Sequence, residues 1–274
     1  GKKSASDKRK AVAAAVAAAG ALMASGSAIA GSDLATNDAV NLWPNGVKNP
    51  AAGREAVAVG ANATASHQHT IAIGRNATAK WTDAISIGRD TVASKDHALA
   101  MATSASALGV QSVGIGSYSS ASADSAVALG QNAKAGGEVP AGADKGTGTA
   151  AVAVGLNANA SAANTVATGK NAAASVDNAV AVGVQSNASG RSATALGGYA
   201  AASAERATAV GAASKASGTA SFAGGTSANA AGVNSVAVGG SMEAAEAAQA
   251  VGNNSIAVGS KSNAQQASDV AVGH

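Results

Sequence analysis

Residues 56–60 read Ala-Val-Ala-Val-Gly, and residues 70–74, 151–155 and 179–183 repeat this pattern in almost the same letters. The branched side chains of each copy lie two residues apart, and a glycine follows directly. Alternation with a period of two is the spacing of a β-strand, and Val and Ile are good strand formers. The motif therefore predicts a short strand that ends at a turn.

The glycine that closes the motif recurs every 14 residues, except for one interval of 25 and one of 20, and Ala102 replaces it once. Ala stands five residues after every marker before the last. Such a strict period predicts a repeat architecture. We expect the marker glycines to help turn the chain in each coil; they are Gly60, Gly74, Gly88, Gly116, Gly130, Gly155, Gly169, Gly183, Gly197, Gly211, Gly225, Gly239, Gly259 and Gly273.

A 14-residue period also fits two heptads of a coiled coil, so that alternative must be tested. Heptads need apolar residues three and four apart and tolerate recurrent glycine poorly. The observed spacing of two excludes them. The sequence instead predicts an all-β solenoid, with one strand at residues 56–59 and a second at about residues 62–66 of the first coil. Coils that stack at ~4.8 Å would form a rod of about 70 Å.

The first strand of each coil is apolar on both faces, with Val57 and Val59 on one and Ala56 and Ala58 on the other. The second strand alternates Ala with polar residues, so only one of its faces looks buried. A two-strand roll has a single interior, so the additional apolar face needs another partner. The simplest partner is the same face of other copies in a closed, cyclic assembly. The sequence leaves open whether the Val/Ile face or the Ala face lines the interior.

Two repeats carry a resemblance to a known family: residues 234–239, Asn-Ser-Val-Ala-Val-Gly, and residues 254–264, Asn-Ser-Ile-Ala-Val-Gly-Ser-Lys-Ser-Asn-Ala. They closely resemble the head repeat of YadA-like trimeric autotransporter adhesins, and the likeness extends over about residues 56–274. It implies a left-handed parallel β-roll, a homotrimer and an exported position at the bacterial cell surface and outer membrane. It also implies binding to host matrix proteins, host cells or other bacteria.

The segments before the repeats are of a different kind. Residues 1–30 combine a basic start, an Ala-rich stretch and small residues, which fits a secretory signal, an Ala-rich helix or a tag joined to an imperfect coil. Residues 31–55 contain Trp43-Pro44-Asn45-Gly46 and are expected to be an irregular cap. The sequence holds neither the stalk nor the membrane anchor of the family, so we expect part of a longer fibre that meets a membrane only through that absent anchor.

Composition excludes several function classes. The chain has no Cys, which removes disulfides and thiolate chemistry. Five of its 18 basic residues fall in the first ten positions, and the remainder holds 13 basic against 14 acidic residues, so no nucleic-acid surface is expected. No G-x-S-x-G, H-E-x-x-H or Walker A motif occurs. We therefore expect neither an enzyme nor a cofactor.

Candidate sites are few. His67 and His69 would permit a metal site repeated in a trimer, but a polar loop at the outer edge of the coil is the favoured interpretation, and we expect no metal. The interval of 25 adds a loop near residues 136–150 whose Pro and Gly cannot continue a sheet. Its candidate ligand-contacting residues are Glu138, Pro140, Asp144 and Lys145, and a tolerated surface insertion is the alternative. A second insertion near residues 240–254 could form a short helical turn at residues 242–249.

Three functions remain open at the level of sequence. The first is adhesion, through a repetitive trimeric surface that gains strength from multivalency. The second is a rigid structural spacer of a surface fibre without a ligand of its own. The third, an ice-binding solenoid, requires regular ranks of Thr, and Thr64, Thr78 and Thr208 do not recur in every coil.

Overall fold

The computed structural model describes residues 40–42, 53–137 and 149–273. Over these residues the chain is a parallel β-solenoid in which every regular coil holds a three-residue long strand and a two-residue short strand. The predicted all-β solenoid of 14-residue coils is therefore confirmed. Residues 1–30 and most of the predicted cap, 31–55, lie outside the described part.

The long strands form one 16-stranded sheet in chain order. They are β1 (Val40–Leu42), β2 (Val57–Val59), β4 (Ile71–Ile73), β6 (Ile85–Ile87), β8 (Leu99–Met101), β10 (Val113–Ile115), β12 (Val127–Leu129), β14 (Val152–Val154), β16 (Val166–Thr168), β18 (Val180–Val182), β20 (Thr194–Leu196), β22 (Thr208–Val210), β24 (Phe222–Gly224), β26 (Val236–Val238), β28 (Ile256–Val258) and β30 (Val270–Val272).

The short strands form a 14-stranded sheet that stacks in the same order. They are β3 (Thr64–Ala65), β5 (Thr78–Ala79), β7 (Val92–Ala93), β9 (Ser106–Ala107), β11 (Ser120–Ala121), β13 (Lys134–Ala135), β15 (Asn159–Ala160), β17 (Ala173–Ala174), β19 (Asn187–Ala188), β21 (Ala201–Ala202), β23 (Lys215–Ala216), β25 (Asn229–Ala230), β27 (Gln249–Ala250) and β29 (Asn263–Ala264). A 3₁₀ helix, Ala244–Glu246, is the only helix in the described residues.

Both strands are shorter than the sequence predicts, because the corners of the roll take up the remaining residues. We call the segment from a long strand to the next short strand the first corner, and the segment from a short strand to the next long strand the second corner. Asn62 at the first corner and His69 at the second have positive φ, 55° and 58°. This left-handed conformation interrupts the extended chain and turns it toward the opposite sheet.

The Ala face of the long strands lines the interior, which answers the question that the sequence leaves open. Ala58 of β2 and Ala65 of β3 are fully buried, whereas Val57 and Val59 remain partly exposed. The largest fully buried side chains of the described residues are Thr70, Thr91 and Thr165. The interior therefore holds only small side chains, and the two sheets approach each other closely.

The insertions leave the stacking intact. Val127 of β12 pairs with Val152 of β14 across the longer insertion, and Asn229 of β25 pairs with Gln249 of β27 across the shorter one. The parallel pairing of the strands therefore continues from one side of each insertion to the other.

Candidate functional site

The outward face of the long-strand sheet is apolar along the roll. In β18, Val180 and Val182 point away from the interior on either side of buried Ala181. The first and last residues of each long strand from β2 to β30 repeat this arrangement, and we call them the apolar face. Most are Val, Ile or Leu, and Val182, Val210 and Val238 are 37%, 37% and 39% exposed. The apolar face is interrupted at Thr168, Thr194, Thr208 and Gly224. Extended, largely apolar surfaces of this kind are typical of interaction sites.

The short-strand sheet presents a different outer surface. Its second residues are buried alanines, and its first residues, such as Thr64, Asn159 and Lys215, face outward and are mostly polar. We call these first residues the polar face. The roll thus has one apolar and one polar long surface, joined by two rows of corners.

Asparagine ladders run along the corners. At the first corner Asn62 Nδ2 donates to Asn76 Oδ1 at 3.1 Å, and Asn76 Nδ2 donates to Asp90 Oδ1 at 2.6 Å. Farther along, Asn132 donates to Asn157 and Asn157 to Asn171, each at 3.1 Å. Asn and Asp suit these positions because they tolerate positive φ and their side chains hydrogen-bond to the neighbouring coil.

A ladder of alternating carboxylates and histidines occupies the second corner of the first coils. His69 lies between Glu55, with Nε2 and Oε2 at 2.8 Å, and Asp83, with Nδ1 and Oδ1 at 3.0 Å. His97 Nε2 is 3.4 Å from the other oxygen of Asp83. These side chains are 41–58% exposed, so each pair adds little stability. Sequence reasoning missed this ladder, although a spacing of 14 residues between charged residues is its signal.

The structure places the two histidines of the candidate metal site in different contacts. His67 stacks on Trp81 with ring centroids 4.9 Å apart, while His69 lies in the ladder. Among residues 53–137 and 149–273, no group of three or more His, Cys, Asp or Glu side chains is arranged to hold a metal ion. The candidate ligand residues Glu138, Pro140, Asp144 and Lys145 lie outside the described residues.

The second insertion contains fewer residues than the sequence indicates. Ser241 donates its N–H to Thr226 O at 3.0 Å, and Ala248 donates to Gly239 O at 3.0 Å, as equivalent residues do in regular coils. The additional residues are therefore 242–247, at the first corner, and they contain the 3₁₀ helix at Ala244–Glu246.

Within the described part of the chain, no helix has the length and apolar character needed to cross a membrane. The remaining arrangement is a long rod whose surfaces repeat from coil to coil. Such surfaces favour contacts with partners along the rod.

A comparison with known protein families identifies the family of this chain. The family model described as the YadA head domain repeat (2 copies) matches residues 51–77, 107–133, 147–172, 177–200, 202–228, 225–241 and 250–274. A search of curated proteins finds no match. The matched segments cover more than half of the chain and follow the observed coils, so the chain belongs to the YadA head domain family.

Proposed function

We propose that this chain is the head of a trimeric autotransporter adhesin, displayed at the bacterial cell surface, and that it attaches to host extracellular matrix or host-cell ligands. The observation that carries the proposal is the apolar face, whose side chains stay partly or fully exposed along the described roll. Membership of the YadA head family supports adhesion as the role. The proposal contains no enzymatic step and no cofactor.

The apolar face supports a trimer because no described residue of the same chain covers it. The buried alanines already pack the two sheets of the roll against each other. Removal of Val and Ile side chains from water favours association by roughly 25 cal/mol per Å² of apolar area. An apolar face that runs along a rod is covered when copies stand side by side around an axis parallel to the rod. Membership of the YadA head family supports three copies in that ring.

Attachment would use the surfaces that face away from that axis. In such a trimer the polar face points outward in three copies, and each copy repeats similar groups from coil to coil. Asn159 and Asn187, for example, occupy equivalent positions on β15 and β19. Many weak contacts that repeat at a fixed spacing suit an extended or multivalent ligand, and avidity then replaces a deep pocket.

The proposal is tested on the full chain in two steps. Light scattering after size exclusion gives the mass of the assembly, and we expect three chains. The purified protein is then passed over immobilised matrix proteins and intact host cells, and we expect retention above that of a blank surface. A monomer would overturn the trimer, and a trimer that no surface retains would overturn adhesion in favour of the structural spacer.

A matched control separates avidity from adventitious adsorption. Asn187→Glu changes the outer surface of β19, where Asn187 is exposed. We expect this variant to keep the mass of the parent assembly. Its retention should change only if the ligand contacts the outer surface of β19. Val182→Glu places a charge on the apolar face instead, and we expect it to reduce the mass and the retention together. Retention that persists in a monomeric variant would contradict the multivalent mechanism.

A further inference from the structure

The short insertion at residues 242–247 presents the most exposed large apolar side chain of the described residues. Met242 is 94% exposed. It follows β26 and its outward residue Val238 by only a few positions, so it lies at the first corner beside the apolar face. The apolar surface of Met242 is therefore available to a partner, and its removal from water would favour association.

The segment that carries Met242 is held in one conformation. Gln249 Nε2 donates to Ala244 O at 2.9 Å, and Lys261 N–H donates to Glu246 O at 2.6 Å. Lys261 Nζ also lies 3.3 Å from Glu246 Oε1, and Ala247 is fully buried. The insertion is thus fastened to the next coil, so a partner that contacts Met242 would lose little conformational entropy.

Cyclic symmetry fixes which residues the insertion can meet. Copies related by an axis along the roll stand at equal height, so each residue faces neighbouring residues of the same coil. When the apolar face of every copy points to the axis, the first corner of one copy stands beside the second corner of the next. At the height of Met242, that second corner carries Val233 and Val251, which are 42% and 39% exposed.

We propose that Met242 of one copy packs against Val233 and Val251 of the neighbouring copy, so that the insertion is a clasp between copies. This proposal rests on the trimer proposed above and specifies how its sides are joined. The unbranched thioether of Met adapts to an irregular apolar surface, which suits a contact made by a single protruding side chain. The three contacts of a closed ring would be equivalent.

The absence of Cys from the sequence allows a direct test by cross-linking. The full chain carrying Met242→Cys together with Val251→Cys is treated with a short bismaleimide. We expect covalent dimers and trimers on a denaturing gel in place of most of the monomer band. The single variants M242C and V251C should give only the background level, because identical residues lie apart around the axis.

A control pair keeps the same corners but changes the height. Met242→Cys is combined with Val110→Cys, which lies at the second corner between β9 and β10. At ~4.8 Å per coil these sites are separated by far more than the cross-linker spans. Light scattering is run on every variant: a trimer that cross-links no better in the test pair than in the control pair overturns the clasp, whereas a monomer overturns the trimer itself.

Discussion

At the scale of single residues, space as well as conformation favours glycine at the marker position, although Ala102 occupies one marker with φ of 93°. Gly197 has φ of +130°, and a Cβ added there would lie 2.6 Å from Gly211 O in the next coil. The adjacent Gly198 has no such restriction, since its nearest neighbour would be Val184 O at 3.8 Å. The backbones of adjacent coils therefore approach each other closely at Gly197 but not at Gly198.

This difference predicts opposite outcomes for two adjacent substitutions. Gly197→Ala should lower the free energy of unfolding by about 2 kcal/mol or more, because it adds backbone strain and a steric clash. Gly198→Ala should leave it unchanged or raise it by up to about 1 kcal/mol, because it restricts the unfolded chain. Urea unfolding followed by circular dichroism checks both; equal losses would show that the close approach is not what selects glycine.

At the scale of elements, the alanine core is interrupted once. Buried alanines form one cluster from Ala56 to Ala107 and a second from Ala121 to Ala264. Between them the interior holds Ser112, Gly114 of β10 and Ser119. Ser112 Oγ donates to Gly109 O at 2.7 Å, whereas the buried Ser119 Oγ has no hydrogen-bond partner among the described residues. We therefore expect Ser112 to stabilise the coil and Ser119 to destabilise it.

Replacement of each serine by alanine should reveal the difference. Ser119→Ala removes a buried hydroxyl without a partner and adds apolar continuity, so we expect a gain of about 1 kcal/mol in stability. Ser112→Ala breaks an existing hydrogen bond and should cost about 1 kcal/mol. The urea midpoint of each variant is compared with that of the parent chain. A loss in both variants would mean that Ser119 forms a bond in solution.

At the scale of the whole molecule, the roll is a one-dimensional stack in which each coil contacts only its neighbours. As in other solenoids, the free energy of unfolding is then a sum of the stability of each coil and of the contacts between adjacent coils. The exposed part of the apolar face lies outside this sum, because its remaining surface is removed from water only when copies associate. Assembly and folding of the single roll should therefore respond to different substitutions.

Substitution on the apolar face separates these two properties. Val182→Glu would place a carboxylate from each copy next to the axis of the trimer, where an unpaired buried charge is costly. We expect the mass by light scattering to fall to that of one chain, while the β-rich circular dichroism spectrum remains. Asn187→Glu on the polar face is the control and should stay trimeric. An unchanged mass for Val182→Glu would exclude this face as the interface.

The sequence by itself determined the period and the approximate positions of the strands, because both depend on local alternation repeated every 14 residues. The parallel arrangement was implied by the resemblance to the YadA-like head repeat. The sequence also indicated a short helical turn within residues 242–249, where the structure has a 3₁₀ helix at Ala244–Glu246. Only the tertiary structure decided which face lines the interior. Val57 and Ala58 are both apolar, and the narrow space between two sheets, which accepts methyl groups and hydroxyls, selects the alanine. The ladder of Glu55, His69 and Asp83 also depends on the tertiary structure, because residues 14 positions apart become neighbours only when the coils stack in register.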